Sequence, residues 1–130
     1  MNKISDIKVL EKVKFDKLEI LNLSYNIISD LTYWKNANFK CLKELNLSEN
    51  KISDLKVLEK VKFDKLEILY LCSNIISDIR SLENANFKCL KILVLYDNKI
   101  SDIKTLEKVK LDKLEILKLH RNEISDIYIV

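Results

Sequence analysis

The block LEILNLSYN at residues 18–26 returns as LKELNLSEN at 42–50, LEILYLCSN at 66–74, LKILVLYDN at 90–98 and LEILKLHRN at 114–122. The spacing is 24 residues without a slip. A fixed period of this size marks a stacked array, because one such unit cannot bury its own apolar face and must pack on copies of itself. A partial repeat, NKISDIKVLEKVKFDK (2–17), precedes the first block, and EISDIYIV (123–130) follows the last. Residues 1–130 therefore read as a single domain of five strand blocks, starting at 18, 42, 66, 90 and 114, with partial repeats at both ends.

Within one repeat, the LxxLxL run has a period of two, which predicts a short strand with Leu21 and Leu23 facing the core. An asparagine then recurs at 26, 50, 74, 98 and 122, where the chain must turn. The chain contains neither Gly nor Pro, so its turns fall to Asn, Ser and Asp, whose side chains bond the backbone groups a turn leaves free. Stacked copies of Asn26, Asn50, Asn74, Asn98 and Asn122 would form a structural asparagine ladder. Ser29-Asp30 offers a helix cap. Ile52, Leu55 and Leu58 follow at i, i+3 and i+6, a spacing that suits one or two turns of helix or 3-10 helix on the outer side. Val61, Phe63 and Leu66 lead back to the next strand.

The pattern LxxLxLxxNxIxxIxxL, repeated five times across the chain, resembles that of leucine-rich repeat proteins. The N-x-I-S-D-I run is most similar to the internalin and phosphatase-regulatory subclass. That resemblance implies an α/β fold: a curved solenoid with a parallel concave sheet of five short strands and short helical or 3-10 segments on the convex side. It also implies a non-catalytic protein–protein interaction module that binds a protein partner on its concave face. The repeat is 24 residues long, against about 22 in that subclass, and no Pro follows the SDI triplets.

A 48-residue period overlies the first. Residues 50–69 differ from 2–21 only at Leu55 against Ile7, and 98–117 only at Thr105 and Leu111. Two charge rows alternate with it: Asp16, Lys40, Asp64, Lys88, Asp112, and Glu19, Lys43, Glu67, Lys91, Glu115. At a strand spacing of about 4.8 Å neighbouring charges in each row attract. Each exposed pair contributes about 0.2–1 kcal/mol, and the rows help set the stacking order.

Against such faithful copying the differences are informative. Outer residues such as Lys8, Lys56 and Lys104 are unchanged, while the strand ends diverge: NLSY, YLCS and KLHR in one repeat type, NLSE and VLYD in the other. Three rows are predicted for the concave side. They run Asn22, Asn46, Tyr70, Val94, Lys118; then Ser24, Ser48, Cys72, Tyr96, His120; then Tyr25, Glu49, Ser73, Asp97, Arg121, with Ile20, Ile68, Ile92 and Ile116 flanking them. Tyr70, Val94, Tyr96 and Ile92 would form an aromatic and apolar centre, with Glu49 and Asp97 on one side and Lys118, His120 and Arg121 at the C-terminal end. Aromatic anchors inside a polar rim are what a protein-binding patch requires. The expected partner-binding residues are Tyr70, Val94, Tyr96, Asp97, His120, Arg121, Tyr25, Glu49 and Ile92.

Other chemistries find little support. Cys72 and His120 lie two rungs apart, roughly 10 Å, beyond the ~3 Å reach of a nucleophile and its base. Cys41 and Cys89 are equally separated, too far for a disulfide. One His and three scattered Cys give no metal spacing, and phosphate-loop and dinucleotide motifs require glycine; no enzyme, cofactor or metal is expected. The net charge of +3 is small, and Glu11, Glu59, Glu83 and Glu107 interleave with the outer lysines, which argues against nucleic acid or membrane. Three free thiols and no apolar leader in MNKISDIKVLEK predict a reducing, cytoplasmic setting, with which delivery into a host cell is compatible. The rival reading is a structural spacer or self-assembling repeat that forms a homo-oligomer through uncapped ends, where Ile127, Ile129 and Val130 await a following rung.

Overall fold

The computed structural model describes residues 2–12 and 14–125; Ile127, Ile129 and Val130 lie outside them. Five three-residue strands form one parallel sheet in chain order: β1 (Ile20–Asn22), β2 (Glu44–Asn46), β3 (Ile68–Tyr70), β4 (Ile92–Val94) and β5 (Ile116–Lys118). Every strand pairs with the next at an offset of one repeat, so Leu21, Leu45, Leu69, Leu93 and Leu117 share a register. The outer side is built from 3-10 helix at Lys8–Lys12, Thr32–Trp34, Lys56–Glu59, Arg80–Glu83 and Lys104–Glu107. This is a leucine-rich-repeat solenoid, with short strands alternating with 3-10 turns. Among the described residues no helix is long and apolar enough to cross a membrane.

The outer turns start on aspartate. Asp30, Asp54, Asp78 and Asp102 each accept the backbone N–H two residues on, at 2.8–2.9 Å. Of the Ser-Asp pair expected to cap a helix, Asp supplies the bond, and it closes an Asx turn one residue before the capping position. The segment then tightens into i→i+3 bonds such as Leu58 N–H to Leu55 carbonyl at 3.0 Å. A 24-residue rung leaves only a few residues for its outer side, which favours the compact 3-10 form.

Two internal columns join the rungs. In the first, each asparagine bonds the rung before it: Asn50 Oδ1 accepts from Ile28 N–H at 2.9 Å, and its Nδ2 donates to the carbonyls of Leu23, Leu47 and Ser48 at 3.0–3.1 Å. Asn74, Asn98 and Asn122 repeat the arrangement. The ladder thus runs from side chain to backbone. The second column is aromatic: Phe15, Phe39, Phe63 and Phe87 stack with ring centroids 5.3, 5.9 and 6.1 Å apart. Trp34 meets Phe39 edge-on at 5.4 Å.

The charge rows close only in part. Lys43 pairs with Glu19 at 3.3 Å and Lys91 with Glu67 at 3.4 Å. Each lysine is thus engaged with the rung before it, so the row breaks into separate pairs and is not continuous. In the other row Asp64 accepts a bond from Asn86 Nδ2 at 3.2 Å and no ion pair forms among the described residues. These side chains are well exposed, so the pairs add little stability.

Candidate protein-interaction face

The strand residues that alternate with the buried leucines form the concave face. Its first row is Ile20, Glu44, Ile68, Ile92 and Ile116, and its second is Asn22, Asn46, Tyr70, Val94 and Lys118, both fixed by the sheet register. Beside them runs Ser24, Ser48, Cys72, Tyr96 and His120. Tyr70, Ile92 and Tyr96 are half-buried. Val94 is only 4% exposed: it lies in register between the longer Tyr70 and Lys118, so it supports the face and adds little surface of its own.

The third row departs from expectation. Tyr25, Glu49, Ser73, Asp97 and Arg121 lie just beyond the strands, at turns with φ between 54° and 58°. This is the left-handed region that L-residues with bulky side chains avoid. The conformation is held by bonds between rungs, since the N–H groups of Tyr25, Glu49, Ser73 and Asp97 donate to the carbonyls of Ser48, Cys72, Tyr96 and His120 at 3.0–3.1 Å. These residues therefore form a rim to the face. A chain without glycine reveals no such positions in its sequence.

Side chains within the row Ser24, Ser48, Cys72, Tyr96 and His120 are physically linked. The Cys72 thiol donates to Ser48 Oγ at 3.0 Å. The neighbouring Cys72 side chain is the main cause that holds the Tyr96 phenol above its usual ionisation range, with burial, Glu49 and Tyr25 adding to it. Tyr96 is therefore a neutral hydrogen-bonding group at physiological pH. On its other side the His120 ring stacks on it at 4.5 Å and 12°. On the rim, Asp97 accepts from Ser73 Oγ at 2.9 Å and lies 3.9 Å from Arg121 Nη2. The face thus brings together Tyr70, Val94, Tyr96, Ile92, His120, Asp97 and Arg121 on β3–β5 and the turns that follow them. Tyr25 and Glu49 stand on earlier rungs, towards β1.

Glu44 was not among the expected contacts, although the sequence carried a signal for it. It interrupts a row that is otherwise isoleucine, and the equivalent residue of the other repeat of its type is Ile92. Ile20 is 60% exposed, and Ile68 and Ile116 extend the same apolar row. All three cysteines are free thiols.

Two family models match the chain: one described as leucine rich repeats (2 copies) over residues 42–84 and one described as leucine rich repeat over residues 89–109. None of the curated proteins matches it by sequence. Among solved structures, it is similar to internalin C2 from Listeria monocytogenes, with 27% identity and a TM-score of 0.68 over 88% of this chain and 45% of that one. It is also similar to the internalin InlF from the same organism, with 28% identity and a TM-score of 0.63 over 92% of this chain and 39% of that one. The chain thus spans less than half the length of either internalin. With its five-stranded sheet, 3-10 outer turns and asparagine column, this chain is a leucine-rich-repeat protein with structural similarity to Listeria internalins.

Proposed function

We propose that this chain is a non-catalytic module that binds a protein partner on its concave face, with Tyr70, Tyr96 and Ile92 as the apolar anchors and His120, Arg121, Asp97, Glu49 and Tyr25 around them. The observation that carries this reading is where the copies differ. The three copies at 2–25, 50–73 and 98–121 are nearly identical over their outer segments and diverge at the strand ends, where half-buried aromatic side chains stand on the surface. The two copies of the other type diverge there too, and also over 31–35 against 79–83. Half-exposed aromatics over a rigid sheet lose little conformational entropy on binding. The three free thiols support a reducing compartment as the place of action.

The test is capture of a partner by the wild-type chain beside Tyr70→Ser/Tyr96→Ser, after circular dichroism has shown that both fold alike. Val94 is left intact because its burial makes it part of the scaffold. A partner retained by wild type and lost by the variant supports the face; equal capture by both counts against it.

A further inference from the structure

We infer that the concave face is built for an amphipathic helix with unlike charges at its two ends, lying across the strands from β2 to β5. This inference rests on the concave-face reading above and names the chemistry of its occupant.

The face has three zones along the solenoid. At β2 stands Glu44, with Glu49 on the rim of the same rung. The centre is apolar: Ile68 and Tyr70 on β3 are in register with Ile92 and Val94 on β4. At β5 the register continues to Lys118 beside Val94, with His120 and Arg121 following. Among the described residues, Glu44, Glu49 and Lys118 have no ion-pair partner, and Arg121 has only the 3.9 Å approach to Asp97. Two acidic side chains thus bound the apolar zone on one side and two basic ones on the other.

The span and the backbone chemistry choose the secondary structure of the occupant. From β2 to β5 is three strand spacings, roughly 14 Å, which a helix covers in about ten residues. An extended segment crossing the strands would bring unpaired N–H and C=O groups against isoleucine and tyrosine, because the sheet's own backbone groups are already bonded within it. A helix satisfies its backbone internally and offers a stripe of side chains to the centre. Its basic end then belongs over Glu44 and Glu49, and its acidic end over Lys118 and Arg121.

The experiment uses three synthetic helices with the same leucine stripe: one with an acidic first turn and basic last turn, one basic at both ends and one acidic at both ends. Each is titrated against the full chain by fluorescence anisotropy at low ionic strength. The mixed helix is expected to bind roughly three- to ten-fold more tightly than either uniform one, with the preference vanishing in high salt. Glu44→Lys/Glu49→Lys makes the face uniformly basic at its ends and should transfer the preference to the doubly acidic helix. Equal binding of all three that Tyr70→Ser/Tyr96→Ser abolishes would overturn the charge polarity and leave the concave face standing. Equal binding that survives the tyrosine variant would overturn both. Absence of binding by all three, while a natural partner is still lost with the tyrosines, would overturn the helical occupant alone.

Discussion

Asn74 Oδ1 accepts the backbone N–H of Ile52 at 2.9 Å although 22 residues of chain separate them. The same side chain donates to the carbonyls of Leu47 and Leu71 at 3.1 Å and of Cys72 at 3.3 Å. Asn74→Ala leaves a buried N–H and several carbonyls without this partner, at a cost of about 2–4 kcal/mol. Asn74→Asp keeps the acceptor but replaces the donor with a buried carboxylate facing carbonyls, so it should fare no better at neutral pH. Because rungs are coupled mainly to their neighbours, a break at the middle rung should also lower the urea m-value. Urea unfolding followed by circular dichroism checks both effects.

Tyr25 occupies the left-handed region at φ 58° with its side chain 57% exposed. Asparagine tolerates that conformation better than an aromatic residue does. Tyr25→Asn is expected to raise stability by about 0.5–1 kcal/mol. A higher denaturation midpoint at unchanged m-value would bear this out; a lower one would mean that tyrosine packing outweighs the backbone strain.

Trp34 is fully buried and its indole Nε1 finds no hydrogen-bond partner among the described residues. An unpaired buried donor costs about 1–3 kcal/mol, which the edge-on contact with Phe39 and the large buried area must offset. Trp34→Phe removes the orphan donor along with part of the packing, so its net effect should stay within about 1 kcal/mol. Trp34→Ala should cost about 3–5 kcal/mol, since it leaves a cavity in the core. Thermal unfolding of the two variants side by side decides whether packing or the polar atom dominates.

Asp78 is held at a pKa of about 2, below its ordinary 3.8, by hydrogen bonds from the Arg80 side chain and backbone, with nearby positive charge adding to them. A lowered carboxylate pKa contributes stability that is present above the unfolded value of 3.8 and disappears as the pH falls through about 2. The side chain is half exposed, so the contribution is small. Asp78→Asn keeps an oxygen for the Arg80 N–H and removes the charge. Its melting temperature should therefore fall less steeply than that of wild type over this acid range.

The organisation of this molecule was legible because its period never slips. The strand blocks, the asparagine column and the inward leucines all follow from the spacing of like residues. What the spacing could not convey was backbone conformation and side-chain reach. The left-handed turns at Glu49 and Ser73 carry no common residue type, since their conformation is held by bonds to the next rung. Lys43 could have reached Glu19 or Glu67 with equal charge logic, yet one ammonium pairs with the first alone. The burial of Val94 depends on the lengths of Tyr70 and Lys118 beside it, a property of three rungs together. The phenylalanine stack is also written in the spacing, since Phe15, Phe39, Phe63 and Phe87 stand 24 residues apart.

The unbroken register has a consequence for how such a chain can change length. Removing one rung would set Lys43 beside Lys91 and place two repeats of the same kind in contact. Excising residues 50–97 would join Glu49 to Asn98, put Glu115 next to Lys43, and recreate a junction the molecule already contains. The 48-residue pair of rungs is therefore the heritable quantum of this architecture: recombination between copies can lengthen or shorten it in steps of two, while steps of one meet an electrostatic mismatch at the new seam.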